Sequence, residues 1–224
     1  MISVVVLTYN RLHLLHTCLS AIKNTIGPTD HEIFVINNAS VDGTKEWLDS
    51  KPFGVIPLHM KENIGVIARN EAFRKAQGDI IFQIDDDVIV NPWWSSRCGA
   101  QFETEPSLGM IGQQGGLIKK WMDVWSDTHR SRDSYVDYLT GFFLAFRNVG
   151  IYYDEYFGTF WHEELDLSLQ FKFAGYRLKV LPELCVHHSH RNTPVDWDLH
   201  NRNVEYCNQK WKDKIQQLDL EGLK

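Results

Sequence analysis

The strongest constraint in this sequence is a repeated alternation. Short β-branched runs each stop at a polar turn and give way to a helical repeat. Ile2 to Leu7 is almost continuously apolar, and such a run reads as a parallel strand buried on both faces. Thr8-Tyr9-Asn10 ends it. Leu12, Leu15, Leu19 and Ile22 then recur at steps of three and four, one face of a helix, closed by Gly27-Pro28. The pattern repeats with a strand over Ile33 to Ile36, a turn at Asp42-Gly43 and a short helix from Thr44 to Leu48. A weaker strand over Val55 to His59 leads into a helix carrying Ile67, Ala68, Ala72, Phe73 and Ala76, stopped at Gly78. Ile80 to Ile84 is a further strand, and it runs into Asp85-Asp86-Asp87. Asn91-Pro92 has the form of an N-cap followed by a proline in the first helical turn. This βαβ series predicts an α/β fold with a mostly parallel sheet covered by helices.

Beyond about residue 105 the pattern loosens. Gly109 to Gly116 mixes strand and turn, and Trp121 to Asp133 reads as a long polar and aromatic loop. Gly141 to Phe146 is strand-like, and Glu163 to Ala174 is helical up to Gly175. Leu178 to Leu181 and Leu184 to His188 are strands around Pro182. Val204, Cys207, Trp211, Ile215 and Leu218 recur at helical spacing and predict a C-terminal helix docked on the body.

Composition bounds the function classes. The chain has 224 residues, 23 basic and 29 acidic, for a formal charge of −6. That argues against a uniformly basic nucleic-acid binder. No apolar run has the length of a membrane span. The first residues run straight into a strand without a basic leader, so no signal peptide is expected. The four cysteines, Cys18, Cys98, Cys185 and Cys207, are widely separated. They fit a reducing compartment better than a zinc ribbon or a disulfide scaffold, and a cytoplasmic location follows as an expectation. Eight tryptophans are a surplus for an acidic soluble domain.

Ligands of open α/β sheets bind beyond the carboxyl ends of the strands. Here those ends are Thr8-Tyr9-Asn10-Arg11, Asn37-Asn38-Ala39-Ser40 and Asp85-Asp86-Asp87. Adjacent carboxylates repel unless a cation compensates them. In an extended turn Asp85 and Asp87 can face one side, and oxygen ligands suit Mg²⁺ or Mn²⁺. A solvated, helix-capping turn would account for the same residues. His187-His188-Ser189-His190 is either a polar strand end or a source of a metal ligand. Glu163, Glu164 and Asp166 open a helix, where acids complement the helix dipole or one of them serves as a general base. Asn63, Gly65 and Arg69 could bring a cation to a phosphate. Trp121, Trp125 and Trp161 are either sugar-facing surface or core. No G-x-S-x-G, H-E-x-x-H or P-loop pattern occurs.

The order of these segments resembles the family 2 glycosyltransferases, which have the GT-A fold. Val4-Val5-Val6-Leu7-Thr8-Tyr9-Asn10-Arg11 is similar to that family's opening strand and nucleotide loop. Asn37-Asn38-Ala39-Ser40-Val41-Asp42-Gly43-Thr44 resembles its D-N-x-S-x-D-G-T segment. Asn63-Ile64-Gly65 with Ala68-Arg69-Asn70 resembles its N-x-G-x-x-x-A-R-N helix start. Gly78-Asp79 followed by Asp85-Asp86-Asp87 looks like the strand ending in the D-x-D motif. Thr140-Gly141, Asp154-Glu155 and Phe157 are similar to its acceptor-side half. Glu163-Glu164-Leu165-Asp166-Leu167 with Gly175-Tyr176 resembles its E-D-x-D-L…G-Y helix, and Pro182 with His188 matches the spacing to its metal-site histidine.

The resemblance implies a GT-A domain over residues 1–195, with a nucleotide-binding half (1–105) and an acceptor-side half (106–195), and a helical extension over 196–224. It implies inverting transfer of a sugar from a nucleoside diphosphate sugar, a UDP-sugar first of all, to a glycan or lipid-linked acceptor, in a context such as polysaccharide biosynthesis. Asp87 would bind the metal, Mn²⁺ before Mg²⁺. Asp85 would join it or hold the ribose, and His188, or His187 if the strand slips by one residue, would complete the set. Thr8, Tyr9, Asn10, Arg11, Asn37, Asn38, Ser40, Asn63, Gly65, Arg69, Asp85 and Asp86 would bind the donor. Glu164 would be the base, with Glu163 and Asp166 as neighbours to consider. Thr140, Gly141, Trp121, Trp125 and Trp161 would face the acceptor. Three positions depart from the pattern: Asn37 and Glu164 stand where the family has Asp, and Gln170 where it often has Arg. An amide both donates and accepts, so Asn37 leaves the base open. The competing readings are a retaining transferase on the same fold, a non-catalytic sugar or nucleotide module, and a metal-dependent nucleotidyltransferase. Peripheral membrane association is compatible with a lipid-linked acceptor, and the oligomeric state is left open.

Overall fold

The computed structural model describes residues 1–118, 133–158, 162–188 and 196–221, with the backbone alone over 186–188 and 216–221. The expected loop over Trp121 to Asp133 therefore falls almost wholly outside the described residues, as does Trp161. The expected βαβ series is present. Strand β1 (Ile2–Thr8) is followed by α1 (Leu12–Thr25), β2 (His31–Asn37), α2 (Thr44–Asp49) and β3 (Ile56–His59). A 3₁₀ turn (Gly65–Ala68) then runs into α3 (Arg69–Phe73), β4 (Ile80–Asp85), β5 (Val88–Val90) and α4 (Trp94–Thr104). The second half adds β6 (Leu108–Gly112), β7 (Gly115–Gly116), β8 (Ser134–Val136), β9 (Tyr138–Leu139) and β10 (Phe143–Arg147). It ends with α5 (Glu163–Phe173), β11 (Arg177–Val180), β12 (Cys185–His188) and α6 (Trp197–Glu221).

The main sheet has the order β3-β2-β1-β4-β10-β6-β11-β8. Strands β3, β2, β1 and β4 are parallel. Strand β10 lies antiparallel between β4 and β6, which makes the sheet mixed. Strands β5 and β12 pair antiparallel in a separate ribbon, and β7 and β9 form another.

The reason for an all-apolar β1 is visible in its packing. Val4, Val5 and Val6 are each fully buried. Val4 and Val6 join one cluster with Leu15, Leu19 and Ile22 of α1. Val5 points the other way, into a cluster with Ala72 and Phe73 of α3. A strand with helices on both faces has no solvent side, so the alternation typical of a half-exposed strand is absent.

Two boundaries differ from expectation. Asn91 does not cap α4, which begins at Trp94 with Trp93 as its N-cap and no side-chain capping bond. The Asn91 amide instead donates to Glu183 O at 2.9 Å, tying the turn to the segment before β12. The helix expected to extend to Ala76 is shorter and opens as a 3₁₀ turn. Its entry is held by Asn38, whose side chain accepts from Ile64 N at 3.2 Å and donates to Gly65 O at 3.2 Å.

Helix α6 docks on α5 as its spacing requires. Trp211 and Ile215 pack with Leu165, Leu169 and Tyr138, and Trp211 stacks on Phe173 at 5.1 Å. Asp166 is fully buried beneath it, accepting from Trp211 Nε1 at 2.6 Å and from Gln170 Nε2 at 2.7 Å. Lys210 Nζ lies 2.8 Å from the same carboxylate. Breaking such a pair strands a buried donor. Asp166→Ala should therefore lower stability by about 2–3 kcal/mol and open α6 to proteolysis. A urea melt and limited digestion, with Asp198→Ala of the exposed first turn as control, check this.

Candidate active site

The polar ends of β1, β2 and β4 converge because these strands are parallel and in register, with Thr8 opposite Asn37 and Leu7 opposite Asp85. Asp86 turns back under β1. Its carboxylate accepts from Thr8 Oγ1 at 2.6 Å and from Arg11 Nη1 at 3.1 Å. Burial raises the Asp86 pKa to about 6, against the pull of Thr8 and Arg11, and Asp85 and Asp87 add to the rise. Arg11 also reaches Asp87 at 3.4 Å. Asp85 is the more open of the three and is held by Arg69 Nη2 at 2.5 Å. Arg69 is itself buried, and its Nε has no hydrogen-bond partner among the described residues.

The loop after β2 is rigidly built. Asn37 is buried, accepting from Ser40 N at 2.9 Å, with its amide nitrogen 3.3 Å from His59 Nδ1. Asn38 donates to Asn63 Oδ1 at 2.7 Å, and Asn63 accepts from Gly65 N at 3.0 Å. Asn10 N donates to Ser40 Oγ and Asn10 Oδ1 accepts from Val41 N, so the β1 and β2 loops are stitched together. Asn10 and Ala39 both adopt positive φ, 54° and 63°, a conformation that side chains avoid. Asp42 accepts from the first amide of α1, Leu12 N, at 3.0 Å. Tyr9 is exposed beside this lip.

The acidic start of α5 divides by direction. Asp166 points to α6, away from the strand ends. Glu163 is buried, its Oε2 has no hydrogen-bond partner among the described residues, and burial together with Glu164 pushes its pKa well up. Glu164 is only half-buried. A Cβ on Gly141 would come within 2.5 Å of its Oε1, so the missing side chain makes room for this carboxylate. Burial raises the Glu164 pKa and Asp85 adds to the rise, while Arg69 and a hydrogen bond from the Gly141 backbone oppose it. Gly141 is anchored to β4: its carbonyl accepts from Gln83 Nε2 at 2.7 Å, and Phe142 O accepts from Asp85 N at 3.0 Å. Thr140, Gly141, Glu164, Asp85 and Arg69 thus share one lip.

Asp85 and Asp87 offer hard oxygen donors at the end of one strand, which fits a divalent ion that keeps several waters and takes further oxygens from a diphosphate. Among the described residues no group of three or more His, Cys, Asp or Glu side chains forms a closed metal cage. The backbone of β12 pairs His188 with Val88, next to Asp87, and the side chains of His187 and His188 lie outside the description. Trp121, Trp125 and Trp161 do too. All four cysteines are free and buried. No described helix is long and apolar enough to cross a membrane.

A nucleotide-type strand edge and an acidic helix on one lip of a mixed sheet define the GT-A architecture, and known proteins of that architecture superpose on it. The mannosyltransferase PcManGT from Pyrobaculum calidifontis, solved in complex with GDP-Man and Mn²⁺, matches with a TM-score of 0.64 at 20% identity over 88% of this chain and 59% of its own. S. aureus TarS 1–349, in complex with UDP-GlcNAc, matches with a TM-score of 0.64 at 17% identity over 86% of this chain and 59% of its own. Two Bacillus subtilis (strain 168) relatives, both named as uncharacterized glycosyltransferases, align in part. YwdF is 36% identical over 106 residues, 46% of this chain and 38% of YwdF, and YfnE is 34% identical over 113 residues, 49% of this chain and 29% of YfnE. The chain thus spans well under half the length of these relatives. The family model described as Glycosyl transferase family 2 matches residues 3–164, and the chain belongs to that family.

One buried titratable residue beside the α5 acids carries no signal in the sequence pattern. His162, the N-cap of α5, is buried at φ 71°. Burial, with the nearby His200, lowers its pKa from 6.5 to about 4. Above pH 6.5 it is neutral folded or unfolded. Between 6.5 and 4 only the unfolded chain takes the proton, so stability falls as pH falls through that window, by up to about 3 kcal/mol. His162→Asn, which tolerates the same φ, should flatten this part of the pH–stability curve measured by chemical denaturation. An unchanged slope would contradict the assignment.

Proposed function

We propose that this chain transfers a sugar from a nucleoside diphosphate sugar to an acceptor hydroxyl with inversion, using Glu164 as the general base. The observation that carries the reading is the placement of Glu164 in the space left by Gly141, on the lip that also bears Asp85 and Arg69. The acceptor oxygen would give its proton to Glu164 as it attacks the anomeric carbon, while the bond to the diphosphate oxygen breaks on the opposite face. The raised pKa of Glu164 makes its carboxylate a better proton acceptor than an exposed one. Its extra methylene relative to Asp is accommodated by the glycine. Charge builds on an oxocarbenium-like centre in such displacements, and the Glu164 carboxylate would help to stabilise it.

The donor would lie across the β1 and β2 ends. Tyr9, Asn10, Arg11 and the loop of Asn37, Asn38 and Ser40 would frame the nucleoside, with Asn63 and Gly65 behind them. Arg69, now on Asp85, would be available to a phosphate oxygen. Asp86 would position rather than bind, because Thr8 and Arg11 already hold it. Asp85 and Asp87 would hold Mn²⁺ or Mg²⁺, with a histidine of β12 as a further ligand. Such an ion, when bound, would offset charge on the departing diphosphate. A UDP-sugar is the first donor to test and a GDP-sugar the second, since Asn37 can pair as donor or acceptor. The acceptor would be a glycan or a lipid-linked saccharide.

Two variants separate the roles. Glu164→Gln should lower kcat by about 100- to 10,000-fold with nucleotide affinity nearly intact. Asp87→Ala should instead weaken donor binding and abolish its dependence on added Mn²⁺. A thermal-shift screen of nucleotide sugars with Mn²⁺ identifies the donor through stabilisation by mass action, and the anomeric configuration of the product tests inversion. A product with retained configuration would remove Glu164 from this role. Gly141→Ala should also reduce turnover, because its methyl group displaces a flexible carboxylate, while shifting the melting temperature little. Equal loss of folding stability and activity would refute this.

A further inference from the structure

The turn between β5 and α4 holds the most exposed tryptophan described in this protein. Trp93 leaves 72% of its surface open and sits at φ 72°, a strained backbone for a bulky residue. Such outliers persist where surrounding structure over-determines them. It borders an open cleft of about 910 Å³, of a size that takes a small ligand.

The rest of the lining is amide-rich and tied together by hydrogen bonds. Asn91 Nδ2 and Arg97 Nη1 both donate to Glu183 O, at 2.9 and 3.0 Å. Gln113 donates to Cys185 O at 3.3 Å and accepts from Cys185 N at 2.6 Å. The neighbouring Gln114 carboxamide, half-buried on the cleft, makes no hydrogen bond among the described residues. Its backbone carbonyl accepts from Thr140 N at 3.0 Å and Thr140 Oγ1 at 3.3 Å. Thr140 precedes Gly141, against which Glu164 lies. The cleft wall is therefore bonded directly to the lip that carries the base.

We propose that this cleft is an acceptor subsite for a neutral saccharide, one ring stacking on Trp93 and its hydroxyls meeting Gln114. The inference rests on the transferase reading for its role, and on the cleft itself for its ligand. A pyranose has an apolar C–H face and a rim of hydroxyls that both donate and accept. An exposed indole matches the face, and a carboxamide matches the rim. Arg97 and Glu183 place opposite charges on the lining, which favours a neutral sugar over an anionic one. A tryptophan meeting a bilayer would sit in an apolar belt, whereas this one adjoins an amide wall.

The test uses the full chain and the trisaccharides maltotriose, cellotriose, mannotriose and chitotriose as probes. The Trp93 indole ¹H–¹⁵N signal is identified by its loss in Trp93→Phe, and each probe is titrated to millimolar concentration. At least one trisaccharide is expected to shift that signal saturably. Measured by isothermal titration calorimetry, Trp93→Ala should weaken this binding about tenfold or more and Gln114→Ala severalfold, both with unchanged nucleotide affinity. No shift with any probe, equal binding by Trp93→Ala, or a response to phosphatidylcholine–phosphatidylglycerol vesicles alone would overturn the proposal. Trisaccharide binding through Trp93 in a protein that binds neither UDP nor GDP would sustain the saccharide site and sink the transferase reading.

Discussion

Burial of β1 and β4 on both faces is the constraint from which the rest of the molecule follows. Strands enclosed between helices carry few polar side chains along their length, and Ser3 of β1 and Gln83 of β4 are there only because each is hydrogen-bonded. Most polar residues are therefore displaced to the strand ends, where parallel register collects them on one edge. Thr8, Asn37 and Asp85 meet because β1, β2 and β4 run the same way and start in step. The same enclosure lowers the local dielectric at that edge. This is why Asp86 needs both Thr8 and Arg11, and why the carboxyls of Glu163 and Glu164 titrate high.

The antiparallel insertion of β10 next to β4 is the second determinant. It brings Gly141 and Phe142 against the end of β4, with Phe142 bonded to Asp85, and so brings α5 to the polar edge of the sheet. Within α5 the three acids then meet different fates through the elements packed against each of them. Glu163 and Asp166 are three residues apart and both buried, one under the lip and the other under α6. Glu164, between them in sequence, projects toward Gly141 and keeps access to solvent. Asp166 is spent on holding the C-terminal helix, where Trp211 and Lys210 satisfy it.

Much of this was legible in one dimension. The apolar runs announced the parallel strands, the steps of three and four announced α1 and α6, and the polar strand ends announced the edge at which Thr8, Asn37 and Asp85 meet. Failures have local causes. Asn91-Pro92 has the composition of a helix start, but a tertiary bond to Glu183 diverts Asn91 and delays the helix to Trp94. The acids of α5 are equivalent on a dipole argument, and only their packing separates them. Trp93 was lost among eight tryptophans, because exposure and a left-handed backbone leave no mark on composition.

The sequence by itself determined the layer architecture, the family and the polar edge of the sheet, since periodicity and strand-end polarity follow from local covalent geometry and burial. Only the tertiary structure decided which carboxylate is open, which is an anchor, and which aromatic is offered to solvent. Those outcomes depend on contacts between residues tens of positions apart, such as Gly141 with Glu164, Asp166 with Trp211 and Gln114 with Thr140. Pairings of that kind are set by how elements cross in space, and no repeat along the chain encodes them.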